Sequence, residues 1–344
     1  MDPRLVIPSP ATPAPYRPAA WARNPHIQTL AGKFLRPERE LPVSRERWDT
    51  PDGDFLDVDL LPDTGGPVVL ILHGLEGHTR RPYVRNCFHA LREAGLVPVG
   101  LNFRACSGEP NRRIRTYHSG ETGDLGFVLG RLRERFPNRA LGVIGVSLGG
   151  NVLLKYLGER GAGHTPPDAP GPLPDAAVTI SVPFDLAAGA DLLSRTRMGR
   201  VYTHYFLRSL VGKVLQKETL LADRIDLEAL RRVRSLRAFD NLVTAPLNGF
   251  HNADHYYRES SSAFYLEGVR TPTLVLQAED DPFLPRPALP EAALRANPSI
   301  HLALTDRGGH VGFVGGTLRR PRFWAEESST RFLRVVLAGS SSVP

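Results

Sequence analysis

Apolar residues fall along this chain in two alternating rhythms. Val68-Val69-Leu70-Ile71-Leu72 is an unbroken apolar run, the pattern of a strand covered on both faces. Val84, Cys87, Phe88 and Leu91 then recur at helical spacing, and Gly95 closes that helix. Leu96 to Leu101 reads as a second buried strand. Leu125, Val128, Leu129, Leu132 and Phe136 form a helical stripe with Pro137 as its stop, and Ala140 to Val146 is the next strand. Val152, Leu153, Tyr156 and Leu157 predict a helix immediately after it. Ala177 to Val182, Thr273 to Gln277 and Ile300 to Leu304 predict three more strands, and Phe323 to Leu337 a closing helix. Ahead of this alternation, Val43 to Trp48 and Phe55 to Leu61 flank the turn-forming Pro51-Asp52-Gly53, which predicts a β-hairpin.

Such repetition predicts an α/β fold: a mostly parallel sheet with helices on both faces, the hairpin supplying an antiparallel edge. A single domain is expected over residues 21–344, after a Pro- and Ala-rich irregular arm over residues 1–20. From about residue 184 to 267 the alternation stops. That interval is rich in helix formers and too long for one crossover. It is read as an inserted helical cap over the carboxyl ends of the strands, the edge of the sheet where ligands bind. No internal repeat is present.

Composition chiefly excludes. The chain is 41% hydrophobic and 23% charged, as globular domains are, and no apolar run approaches the ~18 residues of a membrane span. Prolines at positions 3 and 8 interrupt any signal-type apolar stretch, so the expected compartment is the cytoplasm. The two cysteines, Cys87 and Cys106, have neither metal nor redox spacing; Cys87 falls on the apolar face of its helix, and no disulfide is expected. The net charge of +7 is an arginine effect: 39 arginines and four lysines make up the 43 basic residues. No basic block carries the aromatic or glycine signatures of nucleic-acid modules, so nucleic acid is not an expected partner. The cap does hold a string of arginines (Arg195, Arg197, Arg200, Arg208, Arg231, Arg232, Arg234, Arg237), which leaves open an attraction to anionic or membrane-borne substrates and a transient membrane-surface contact. No obligate protein partner is indicated.

Candidate chemistry centres on Gly145-Val146-Ser147-Leu148-Gly149, a G-x-S-x-G between a strand and a helix. In that context the serine sits on a sharp, strained turn with its hydroxyl exposed, and side chains at the glycines would collide with the neighbouring elements. A serine hydroxyl needs a base, usually a histidine oriented by a carboxylate, and on such elbows they follow the serine in the order acid, histidine. His310 is the expected base, after Gly308 and Gly309 in the loop beyond the strand ending at Leu304. The acid lies among Glu279, Asp280 and Asp281 beyond Gln277; Asp281 is favoured over Asp280, and the other two would serve the turn. Acyl transfer also needs oxyanion donors. The Leu148 N–H is one, and the Leu75 N–H, in His73-Gly74-Leu75-Glu76-Gly77, the second; His73 would fix that loop by hydrogen bonding. His78, His89, His118, His204, His251 and His255 show no H-E-x-x-H or other metal spacing, so neither metal nor cofactor is expected.

With these motifs the chain resembles the α/β-hydrolase superfamily, in the branch of the YheT-type and ABHD1/ABHD3-like hydrolases, over residues 20 to 335. Beyond the elbow, the resemblance rests on Asn24-Pro25-His26-Ile27-Gln28-Thr29, the His73 to Gly77 loop, Asn102-Phe103-Arg104 with Ser107-Gly108-Glu109, and Asp254-His255-Tyr256-Tyr257. Asp281 also stands four residues before Pro285, the D-x-x-x-P spacing of many such hydrolases. One departure is Ala105-Cys106, where the family usually has a glycine and another small residue. The resemblance implies an α/β-hydrolase fold and cleavage or transfer of acyl groups from carboxylic esters, with relatives from short-chain esterases to phospholipases and alcohol acyltransferases. The expectation is a serine carboxylic-ester hydrolase working through an acyl-enzyme on small-molecule or lipid esters. An acyltransferase passing the acyl group to an alcohol, and a non-catalytic lipid- or ligand-binding module, are the alternatives.

Overall fold

A computed structural model describes residues 11–164 and 171–340 of the chain. The expected arm falls partly outside these residues; its described portion, from residue 11 to 20, is largely irregular. It is tied down at Val314, whose carbonyl accepts from the Tyr16 hydroxyl (3.0 Å) and the Ala19 N–H (3.0 Å).

Helix α1 (Pro25–Phe34) precedes the hairpin β1 (Ser44–Asp49) and β2 (Phe55–Leu60). The alternation follows: β3 (Val68–Leu72), α2 (Pro82–Glu93), β4 (Val97–Asn102), α3 (Thr122–Arg135), β5 (Leu141–Val146), α4 (Leu148–Gly161) and β6 (Ala176–Ile180). Helices α5 (Leu186–Arg195) and α6 (Arg197–Leu215) open the insertion. Four short ones continue it, α7 (Glu218–Leu221), α8 (Leu227–Arg232), α9 (Leu236–Phe239) and α10 (Ala245–Leu247), before α11 (Ala253–Ser260). The sheet resumes with β7 (Thr273–Ala278), α12 (Glu291–Ala296) and β8 (Ile300–Thr305), and the chain continues through the ribbon β9 (Val314–Thr317) and β10 (Arg320–Phe323) into α13 (Trp324–Ser340).

The eight-stranded sheet has the order β1-β2-β4-β3-β5-β6-β7-β8. From β4 to β8 all pairings are parallel, and the β1–β2 hairpin joins β4 antiparallel, as the sequence predicts. Period-two alternation divides the core. Val68, Leu70 and Leu72 of β3 pack with Leu125 and Leu129 of α3 and Val152 of α4, while Val69 and Ile71 pack with Phe88 of α2 and Phe332 of α13 on the other face. Both faces are covered, so the central strands read as continuous apolar runs. This is the α/β-hydrolase fold. The insertion has an apolar core of its own, with Leu207, Val214, Leu230, Phe239 and Val243 buried together.

Helix α1, the short helix α12 and the β9–β10 ribbon have no counterpart in the sequence reading. Helix α1 is started by Asn24, whose side chain accepts from the N–H groups of His26 (2.9 Å) and Ile27 (3.3 Å), with Pro25 in the first turn. Asn-Pro ahead of a half-apolar segment is a helix-start signal. The β9–β10 ribbon is too short and polar to announce itself by periodicity.

Candidate active site

Ser147 stands alone between the end of β5 and the start of α4 with φ 53° and ψ −117°. These are the angles of the first central residue of a type II′ turn, a position glycine usually takes. The Ser147 N–H holds it there by donating to the Ile180 carbonyl (2.8 Å). The glycines do what the motif requires. A Cβ at Gly145 would lie 2.5 Å from the Gly149 carbonyl oxygen, and one at Gly149 would lie 2.6 Å from that of Leu72. Strand and helix therefore cross at backbone contact, with the half-buried Ser147 side chain at the sheet edge.

His310 and Asp281 arrive at the same edge from the loops after β8 and β7. His310 Nε2 is 2.9 Å from Ser147 Oγ, and Nδ1 is 2.9 Å from Asp281 Oδ2. A carboxylate opposite Nδ1 keeps the proton on that nitrogen and leaves Nε2 to accept from the serine hydroxyl. Asp281 is buried and also accepts from the Phe283 N–H (2.9 Å). The Phe283 ring lies flat on the imidazole, centroids 4.1 Å apart and planes at 5°, which fixes the ring plane. The three contiguous acids divide their work. Asp280 accepts from the Gly309 N–H (2.8 Å), and burial raises its carboxyl pKa above the usual range. Glu279 pairs with Arg286 (2.9 Å) on the surface.

What the Asn24 to Thr29 stretch does was not readable from its sequence. Two of its residues, Gln28 and Thr29, brace the His310 loop from behind. Thr29 Oγ1 accepts from the His310 N–H (2.9 Å), and the fully buried Gln28 side chain donates to the Val314 carbonyl (3.0 Å) and accepts from the Val314 N–H (2.7 Å). Ser181, which also has positive φ (53°), accepts from the Val311 N–H (2.9 Å).

The loop after β3 passes directly over the serine: a Cβ at Gly74 would lie 3.1 Å from Ser147 Cβ. Its amides are nearly all engaged. Gly74 donates to the Tyr83 hydroxyl (2.9 Å), Glu76 to the Tyr117 hydroxyl (2.9 Å) and Gly77 back to the Gly74 carbonyl (2.9 Å). The Leu75 N–H has no protein acceptor among the described residues, and nor has that of Leu148 at the first turn of α4.

His73 secures this loop. Its Nε2 accepts from the Phe103 N–H (3.2 Å), so its Nδ1–H donates to the Gly74 carbonyl (2.8 Å). Burial pushes its pKa down to about 3. A histidine held neutral when folded but free to protonate when unfolded contributes stability that is full above pH ~6.5 and declines as pH falls toward the folded value. In urea unfolding, the advantage of the wild type over His73→Gln should therefore shrink between about pH 7 and about pH 5, by no more than about 1.4 kcal/mol per pH unit. An advantage independent of pH would show that His73 is not held neutral.

Glu76 connects the loop to the insertion. Its φ is 54° and its carboxylate is buried, accepting from the Tyr117 hydroxyl (2.6 Å), Lys213 Nζ (2.9 Å) and the Ser209 hydroxyl. Lys213 and Ser209 both belong to α6. The remaining stretches that carry the resemblance also hold the site's walls. Asn102 Oδ1 accepts from the Thr79 N–H (3.0 Å), buried Arg104 ties Asp52 and Asp54 to Asp124, and the Tyr257 hydroxyl donates to Asp240 (2.7 Å). Ala105 has φ 59°, the left-handed region that a glycine enters without strain, so the departure at this position costs roughly 1 kcal/mol.

Ser147 and His310 open into a cavity of about 1080 Å³ between the sheet edge and the insertion, where Leu186, Leu193, Tyr202, Phe206, Phe239 and Val243 supply apolar wall. Among the described residues no group of three or more His, Cys, Asp or Glu side chains is placed to hold a metal ion.

No family model matches the chain. YheT of Escherichia coli (strain K12), which carries an esterase name, is 35% identical over 334 residues, 95% of each chain. Phospholipase ABHD3 of Mus musculus is 29% identical over 331 residues, 94% of this chain and 79% of its own. Among solved structures, the Pyrococcus furiosus esterase Pf2001 superposes with a TM-score of 0.52 at 18% identity, over 79% of this chain and 84% of its own, a likeness of fold. The chain belongs to the α/β-hydrolase superfamily, in the branch that holds YheT and ABHD3, and is an ester hydrolase.

Proposed function

We propose that Ser147, His310 and Asp281 hydrolyse carboxylic esters through an acyl-enzyme, and that the acyl chain lies in the cavity beneath the insertion. The hydrogen-bonded series Asp281–His310–Ser147, ending at the floor of an apolar cavity, carries this reading. Ser147 Oγ attacks the ester carbonyl as His310 Nε2 takes its proton, and Asp281 holds the Nδ1–H and balances the imidazolium. The oxyanion forms opposite the unengaged N–H groups of Leu75 and Leu148, where donors are already in place and need no reorganisation. His310 then protonates the departing alkoxide. A water deprotonated by the same nitrogen cleaves the acyl-enzyme and restores Ser147.

An apolar cavity of this size favours a lipid-like acyl group over an acetyl group, in keeping with the phospholipase name of ABHD3. Each methylene transferred from water to such walls gains about 0.8 kcal/mol, roughly fourfold in kcat/KM until the chain no longer fits. Purified protein assayed on p-nitrophenyl esters from acetate to dodecanoate should therefore give kcat/KM that climbs with chain length through the medium-chain members. Highest kcat/KM on the acetate would overturn the placement of the acyl chain.

A further inference from the structure

Eight large hydrophobic side chains are exposed among the described residues, and five of them belong to two touching helices. Ile27 (45% exposed), Leu30 (39%) and Phe34 (69%) recur at i, i+3 and i+7 on α1, and Val201 (57%) and Tyr205 (43%) at i and i+4 on α6. The other three are scattered: Leu220 on α7, Phe264 in the segment between α11 and β7, and Leu318 in the turn between β9 and β10. The two apolar faces form one patch. His26 Nδ1 meets the Tyr202 hydroxyl (3.0 Å), and Lys33 Nζ lies 4.0 Å from the centre of the Tyr205 ring. Leu30, Phe34, Val201 and Tyr205 also line the cavity that holds Ser147, so the patch is the rim of that cavity.

Charge is distributed with the same bias. Arg197, Arg200 and Arg208 fall on the exposed arc of α6 that carries Val201 and Tyr205, and Lys33 stands between the helices. None of the four has a carboxylate partner among the described residues. Elsewhere in the insertion Arg195, Arg231, Arg232 and Arg237 are paired with Asp191, Glu218, Glu228 and Asp254, while Arg224 and Arg234, in the segments on either side of α8, also have no carboxylate partner among the described residues. Glu38 is an acidic side chain at this rim. Unpaired cations around an exposed apolar patch are the composition of a surface that meets anionic lipid.

We propose that the joined faces of α1 and α6 dock the protein on a lipid–water interface bearing negative charge, with Ile27, Leu30, Phe34, Val201 and Tyr205 entering the acyl boundary and Lys33, Arg197, Arg200 and Arg208 meeting the headgroups. A second copy of the chain fits this face poorly. An isologous contact would set the same unpaired cations against one another and close the cavity mouth. A lipid surface pairs the cations and supplies its esters at the opening. The proposal rests on the ester-hydrolase reading only for the reason that the patch surrounds this cavity; docking itself needs no turnover.

The test is co-sedimentation of the full chain with phosphatidylcholine vesicles, with and without phosphatidylglycerol, beside turnover of a dissolved short-chain ester. Wild type and Ser147→Ala should bind phosphatidylglycerol-containing vesicles equally, more weakly in high salt. Ile27→Glu, and separately Arg200→Glu with Arg208→Glu, should lower the bound fraction roughly tenfold while turning over the dissolved ester at the wild-type rate. Absence of vesicle binding, or binding indifferent to these substitutions, overturns the docking surface. A dimer in sedimentation velocity that Ile27→Glu dissociates overturns it in favour of a contact between copies. An active Ser147→Ala that still binds vesicles would overturn the catalytic reading and leave docking standing.

Discussion

On the proposed mechanism, Ser147→Ala should lower ester turnover by on the order of 10^5-fold or more, because without the serine hydroxyl only binding and oxyanion stabilisation remain. Activity of the purified variant on a p-nitrophenyl ester near that of the wild type sinks the assignment. The backbone at this position makes the experiment sharper. Serine and alanine suffer equally at φ 53°, whereas glycine adopts that conformation freely. Ser147→Gly should thus be as inactive as Ser147→Ala yet more stable by about 1 kcal/mol in chemical unfolding. Equal stabilities for the two variants would mean that the elbow is not strained.

The second large effect separates two adjacent carboxylates. Asp281→Asn should lower kcat about 10^4-fold, since an amide opposite Nδ1 favours the tautomer that places the proton on Nε2, facing the serine. Asp280→Asn should cost far less, because the amide oxygen still accepts from the Gly309 N–H. Steady-state kinetics of the two variants on one dissolved ester decide the matter; a greater loss at Asp280 reverses the assignment.

The order of strands and helices was legible because the central strands are buried on both faces and their helices on one. Val68 to Leu72 shows the first pattern and Val84 to Leu91 the second. Ser147 and His310 were legible as local motifs at strand ends. Less could be said of anything whose meaning lies in a partner far along the chain. Gln28 and Thr29 are a polar pair in a short segment until Val314 and His310, nearly 300 residues later, supply their hydrogen bonds. Phe283 is one aromatic after a turn until its ring lies on the imidazole. Asp280 and Asp281 differ only in where the turn after β7 points each of them. The cap's arginines read as one group, but the structure divides them into paired and unpaired sets. Three of those without a carboxylate partner, Arg197, Arg200 and Arg208, share the exposed arc of α6 beside the apolar patch.

The Glu76 carboxylate fastens α6 to the loop that passes over Ser147. Lys213 and Ser209 reach it from the helix and Tyr117 from the opposite wall, so one buried charge is shared by the insertion and the floor of the cavity. A substitution that unseats α6 would strip this carboxylate of two donors at once and would be felt at the residue beside Leu75. Damage done on the outer layer of the molecule is thereby delivered to its innermost loop.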